Sequence, residues 1–257
     1  MLLQLTHISK SFGGITALTD VNFGVEQGQI VGLIGPNGAG KTTIFNMITA
    51  IFPPTSGEIT FDGQTLVGLA PYKITDRGIA RTFQNIRLFG HMSALENVKV
   101  GLHVRTGKGF WAALLRTPSQ KREEQLVGQK ARELLAFVGL TDIADVRADT
   151  LAYGQQRRLE IARALATEPH LLLLDEPAAG MIESETVDLM ALIRKIRDNG
   201  TTVLLVEHDM HLVMNLCDKV VCINFGKQIA EGTPEEVQNH PDVIEAYLGS
   251  EEEDEAC

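Results

Sequence analysis

The sequence predicts a layered α/β fold: a parallel sheet, an antiparallel β flank and a helical insertion. Three observations predict it. Continuous apolar runs at 30–34, 171–174, 203–206 and 220–223 have the character of parallel strands buried on both faces. Leu3, Leu5 and Ile8, then Val21, Phe23 and Val25, alternate with polar residues as half-buried antiparallel strands do. From 93 to 163 the pattern turns helical, with no convincing strand.

In chain order, residues 30–34 make a central parallel strand ending in Gly35, and a helix begins at Lys41 and runs through Ile44, Met47 and Ile48. Residues 57–63 read as an edge strand entering a turn. An apolar run at 79–83 leads to Gln84, and a helical stretch at 187–196 separates two of the parallel strands. Residues 234–248 form two short helices split before Pro241. The expected organisation is one domain over 1–250: a core at 1–85 and 165–232, a helical subdomain at about 86–164, and C-terminal helices at 233–249. Residues 251–257 are expected to be a disordered acidic tail.

The chain has 257 residues, 44% hydrophobic and 22% charged, which is an ordinary globular composition. Its net charge of -10 overstates the acidity of the body. Glu251, Glu252, Glu253, Asp254 and Glu255 supply half of it. The remainder is mildly acidic and argues against a nucleic-acid groove. Cys217, Cys222 and Cys257 offer neither a disulfide framework nor zinc spacing, as befits a reducing cytosol. No apolar stretch approaches the ~18 residues of a membrane span, and Met1, Leu2, Leu3 and Gln4 lack the character of a signal peptide.

The stretch Gly35-Pro36-Asn37-Gly38-Ala39-Gly40-Lys41-Thr42 follows a predicted strand and opens a predicted helix, the context a P-loop requires. Its glycines let backbone N–H groups approach phosphate oxygens, and the helix N-terminus adds positive charge at the same point. Lys41 reaches the β- and γ-phosphates, Thr42 can ligate Mg²⁺, and Thr43 caps the helix or contacts the α-phosphate. The alternative, a turn that binds nothing, requires a chance match of roughly one in a hundred.

The strand at 171–174 ends in Asp175 and Glu176, followed by Pro177. A carboxylate at the end of a buried strand needs a metal or a polar cavity, and carboxyl ends of parallel strands are where α/β folds bind ligands. Asp175 would hold the Mg²⁺ water shell and Glu176 would activate water. The bland alternative is a surface turn whose acids cap the next helix. The strand at 203–206 similarly leads to His208.

With these motifs the chain resembles the ATP-binding subunits of ABC transporters over essentially its full length. Leu151-Ala152-Tyr153-Gly154-Gln155 is similar to the family's signature motif, Gln84 to its Q-loop glutamine, His208 to its switch histidine, and Phe12 to the aromatic that stacks on adenine. The resemblance implies an ATPase using ATP and Mg²⁺. Glu176, His208, Gln84 and Lys41 would be catalytic, and Thr42, Gln84 and Asp175 would hold the metal. Phe12, residues 35–43, Tyr153, Gly154 and Gln155 would hold nucleotide. It also implies a second ABC ATPase closing head-to-tail, as a heterodimer here, together with two integral membrane permeases and a periplasmic or extracellular solute-binding protein. The subunit would then sit on the cytoplasmic face of the inner membrane.

Two departures stand out. The signature's usual serine is Ala152, and the D-loop ends in Ile182 instead of aspartate or asparagine. Ala152 cannot donate a hydroxyl hydrogen bond, so the site completed by this signature is expected to be the weaker of an asymmetric pair. Ile182 puts coupling through the D-loop in question.

The long insertion at 101–118 and the ending 229–249 are similar to those of the branched-chain amino-acid transport group. Urea or amide importers and lipopolysaccharide exporters are the nearest alternatives. A soluble ABC ATPase would carry long coiled coils or two fused halves, and a P-loop GTPase an Asn-Lys-x-Asp motif; this chain has none of these. Phe110, Trp111, Leu114 and Leu115, with Arg105, Lys108, Arg116 and Lys121 around them, form either a surface for membrane or partner or an amphipathic face packed on its own domain.

Overall fold

The computed structural model describes residues 1–103 and 118–254. Phe110, Trp111, Leu114, Leu115, Arg105, Lys108 and Arg116, and the side chain of Lys121, lie outside what is described.

Two sheets carry the chain. Strand β1 (Leu3–Phe12) pairs antiparallel with β2 (Ile15–Val25) and with β4 (Ser56–Phe61). The order is β2-β1-β4-β5, where β5 is the two-residue Gln64–Thr65. The strand expected at an edge, β4, is therefore interior. The turn that ends it folds β5 back as the true edge.

The second sheet runs β10-β9-β3-β8-β7-β6. Its members are β3 (Ile30–Ile34), β6 (Ile79–Arg81), β7 (Leu171–Asp175), β8 (Thr202–Val206), β9 (Lys219–Asn224) and β10 (Lys227–Gly232). All neighbours are parallel except the β9–β10 hairpin. Every residue of β3, β7 and β8 is buried, as their unbroken apolar runs predict.

Side-chain alternation divides the core in two. Ile30, Ile34, Leu172, Leu174, Val203 and Leu205 face the helical region, packing with Leu95, Leu135, Leu159 and Ile193. Val31, Leu33, Leu171, Leu173, Leu204 and Val206 face the other way, joining Ile44 and Phe45 of the helix after β3 and Leu5 and Phe23 of the antiparallel flank. Truncating any such leucine to alanine costs about 2–5 kcal/mol.

The helices are α1 (Lys41–Ile48), α2 (Pro71–Asp76), α3 (Ala94–His103), α4 (Pro118–Phe137), α5 (Tyr153–Leu165), α6 (Glu183–Asp198), α7 (Met210–Leu216), α8 (Pro234–Gln238) and α9 (Pro241–Asp254). Helices α3, α4 and α5 pack on one another to form the insertion between β6 and β7. Thr233 and Glu236 cap α8 reciprocally, and Pro234 occupies its first turn.

Helix α9 continues to Asp254, four residues into the run predicted to be disordered. Glutamate is a good helix former, and that local preference extends the helix where charge alone suggests disorder. Among the described residues, no helix is long and apolar enough to cross a membrane.

Candidate functional site

The carboxyl ends of β3, β8, β7 and β6 lie side by side, and each delivers one part of the site. From β3 the chain turns sharply through the glycine loop. Gly35 has φ +145°, and a Cβ there would stand 1.9 Å from the Ile223 carbonyl oxygen. Gly40, at φ +111°, would strike Leu18. At Gly35 no other residue fits without moving backbone, and at Gly40 the positive φ itself strains any other residue.

Helix α1 opens on Gly40 without a side-chain cap, so its first-turn N–H groups face outward for an anion. Lys41 is buried, and its Nζ donates to the carbonyls of Gly35 at 2.5 Å and Pro36 at 2.9 Å. Burial holds its ammonium below the usual lysine range, and the nearby Glu176, Cys222 and Asp175 oppose that shift. Thr42 is exposed at the first turn, Thr43 half-buried, and Asn37 and Gly38 exposed at the loop crest.

Both acids at the tip of β7 are gripped from the end of β6. Arg81 Nη2 donates to Asp175 Oδ2 at 2.7 Å. Gln84 Nε2 donates to Glu176 Oε2 at 2.7 Å. Arg81 also donates to Asn46 Oδ1 at 2.7 Å and lies over the rings of Phe45 and Phe83.

Glu176 has φ +46°, a conformation uncommon for a non-glycine residue, pinned by its N–H donating to the Val206 carbonyl. Such strain is of order 1–3 kcal/mol and survives where surrounding contacts over-determine the backbone. From the β8 side, His208 Nδ1 stands 4.0 Å from Glu176 Oε2 and 4.0 Å from Glu207 Oε2. Glu207 is buried and accepts the N–H groups of Ala178 and His208, and burial raises its carboxyl above the ordinary range.

The structure therefore brings Lys41, Asp175, Glu176, Gln84 and His208 to one row of strand ends. The electrostatics of that row also depend on Arg81 and Glu207, which belong to none of the sequence motifs. The run at 79–83 is not apolar throughout. It contains Arg81, and a cation beside a buried acidic strand calls for a carboxylate partner.

Phe12 ends β1, is 45% exposed, and meets Phe52 edge-to-face at 5.1 Å, with Lys10 Nζ 4.9 Å from each ring. Phe52 gave no signal in the sequence beyond its aromatic character.

Tyr153, Gly154 and Gln155 open α5. A Cβ on Gly154 would meet the Glu185 carboxylate, not the glycine loop. Ala152 is the N-cap of α5 and Ile182 the N-cap of α6. Neither has a side-chain oxygen to offer, so each cap is only half made. Gln155 Oε1 accepts the Ala152 N–H at 3.1 Å, and Glu185 Oε2 accepts the Ile182 N–H at 3.3 Å.

A family profile described as ABC transporter matches residues 18–179, and one described as branched-chain amino acid ATP-binding cassette transporter matches 227–253. The chain is 50% identical to the high-affinity branched-chain amino acid transport ATP-binding protein BraF of Pseudomonas aeruginosa, over 96% of this chain and 98% of that one. It is 46% identical to LivG of Escherichia coli K12, a protein of the same description, with the same coverage. A crystal structure of an ABC transporter cassette in its ADP conformation superposes with a TM-score of 0.84 at 32% identity, covering 96% of this chain and 98% of that one. The chain belongs to the ABC transporter ATP-binding family and is a transporter ATPase.

Proposed function

We propose that this subunit powers the import of branched-chain amino acids by hydrolysing ATP at the row of strand tips. The observation that carries the catalytic assignment is the 2.7 Å hydrogen bond from Gln84 to Glu176 beside the Lys41 loop. The similarity of residues 227–253 and of the full-length relatives supports the substrate class.

In this reading, residues 35–43 wrap the triphosphate with backbone N–H groups, Lys41 neutralises its β- and γ-oxygens, and Phe12 stacks on adenine. Glu176 accepts the proton of the attacking water, Gln84 fixes the Glu176 carboxylate, and His208 donates toward the γ-phosphate. Thr42, Gln84 and Asp175 present only oxygen donors to a cation, a set suited to Mg²⁺. Arg81 engages Asp175 through Oδ2, leaving the other carboxylate oxygen available. When bound, Mg²⁺ would offset the negative charge developing on the phosphate.

Tyr153, Gly154 and Gln155 serve the partner's nucleotide, because Gly154 faces Glu185 and not its own glycine loop. The functional unit is therefore a pair of ATPases, a heterodimer with a second ABC subunit, on two membrane permeases fed by a solute-binding protein. The subunit sits peripherally at the cytoplasmic face of the inner membrane.

Vesicles containing the assembled complex test this. ATP-dependent leucine uptake, abolished by Glu176→Gln, is expected. Uptake of a different solute class would overturn the substrate assignment, and retained turnover in Glu176→Gln would overturn the catalytic one.

A further inference from the structure

A buried ion pair on α5 is unaccounted for by nucleotide chemistry. Arg157 and Glu160 face each other at 2.9 Å with side chains 0% and 2% exposed. A buried pair is seldom more stabilising than apolar residues of similar volume, so its contacts decide what it is for. Those contacts converge on one loop. Arg157 Nη1 donates to the Phe83 carbonyl at 2.7 Å, and Nη2 donates to the Gln84 carbonyl at 2.8 Å and to the Tyr153 hydroxyl at 3.2 Å. Glu160 Oε1 accepts the Arg87 N–H at 3.2 Å. Beyond it, Asn97 of α3 holds both the N–H and the carbonyl of Phe89.

The anchoring changes hands at a definite point. The Thr82 N–H still donates to Leu173 in the sheet, whereas the carbonyls of Phe83 and Gln84 are held by the signature helix. The Gln84 side chain then crosses back to Glu176, while the Phe83 ring lies against Arg81.

We propose that Arg157 and Glu160 are positioning residues. They clamp the main chain of the Gln84 loop to α5, so the register of the signature helix sets the Gln84–Glu176 hydrogen bond. Binding of a partner's nucleotide at Tyr153 and Gly154 would thereby be felt at this chain's own hydrolytic carboxylate. The inference rests on the roles proposed above for Gln84 and Glu176.

The test uses the assembled transporter and Arg157→Lys, which keeps a cation opposite Glu160 but loses the fork that spans two carbonyls. Turnover is expected to fall about tenfold, the worth of one such bond, with nucleotide Kd changed less than about twofold. Adding Arg157→Lys to Gln84→Ala should lower turnover little further. Glu160→Gln keeps the acceptor for Arg87 while removing the ion pair, and should show the same split at about threefold; it carries the measurement if Arg157→Lys does not fold. Arg158→Lys, whose partner Asp188 is exposed, should leave turnover unchanged.

Unchanged turnover in Arg157→Lys, additive losses with Gln84→Ala, or equal losses in Kd and turnover would overturn the clamp. If Gln84→Ala and Glu176→Gln alone leave turnover intact, the catalytic assignment fails first and the clamp with it.

Discussion

The row of strand tips and the opening of α5 are the two places proposed above to meet phosphate, and they are held in opposite ways. At the strand tips each acid has its own donor: Asp175 has Arg81, and Glu176 has Gln84. The signature helix instead begins on an alanine cap, with exposed Ala152 and Tyr153 at its rim. The first region is completed within the chain, and substitution there removes a partner from a buried charge. The second is an incomplete surface, where substitution can add what is missing.

The largest effect should come at the tips. Glu176→Gln is expected to lower ATP turnover by about 10²–10⁴-fold while nucleotide binding persists, read by steady-state hydrolysis against binding titration. A loss under tenfold would break the contrast.

Arg81→Met should destabilise the fold by about 3–5 kcal/mol, because Asp175 would remain buried without its cation. A denaturant midpoint that barely moves would mean that water already satisfies that carboxylate.

At the helix opening the sign should reverse. Ala152→Ser supplies the absent cap oxygen and should stabilise by about 0.5–2 kcal/mol, raising Tm by about 2–4 °C per kcal/mol. Ile182→Ser should act likewise at α6. Ala152→Ser should also raise turnover of the assembled transporter, and an unchanged rate would remove the expected asymmetry between the two sites.

The smallest effect is a pH slope. Burial raises Glu207 above its ordinary 4.5, so the native state holds this proton more tightly than the unfolded chain. The stability it contributes is complete below pH 4.5 and is lost as pH rises through the raised native value. Glu207→Gln should flatten that decline in unfolding measurements across mildly acidic to neutral pH. An unaltered slope would locate the effect in another group, Glu160 being the alternative of the same sign.

Much of this was legible in the sequence because its causes are local or periodic. Strands buried on both faces must read as unbroken apolar runs, and β3, β7, β8 and β9 did. A loop that must expose its N–H groups needs glycine, and Gly35 and Gly40 mark it. Chemistry at the tips follows from Asp175 and Glu176 ending an apolar strand. The interior place of β4 was not legible, because β5 is too short to carry a pattern.

Arg81 and the Arg157–Glu160 pair were decided by tertiary structure alone. Arg157 and Glu160 sit at an i, i+3 spacing that surface helices also use, and nothing in it foretells full burial. What encloses them is a loop more than seventy residues earlier in the chain. A sequence records which side chains can carry charge. Whether that charge is solvated on a surface or spent on a distant carbonyl depends on which segments the fold brings together.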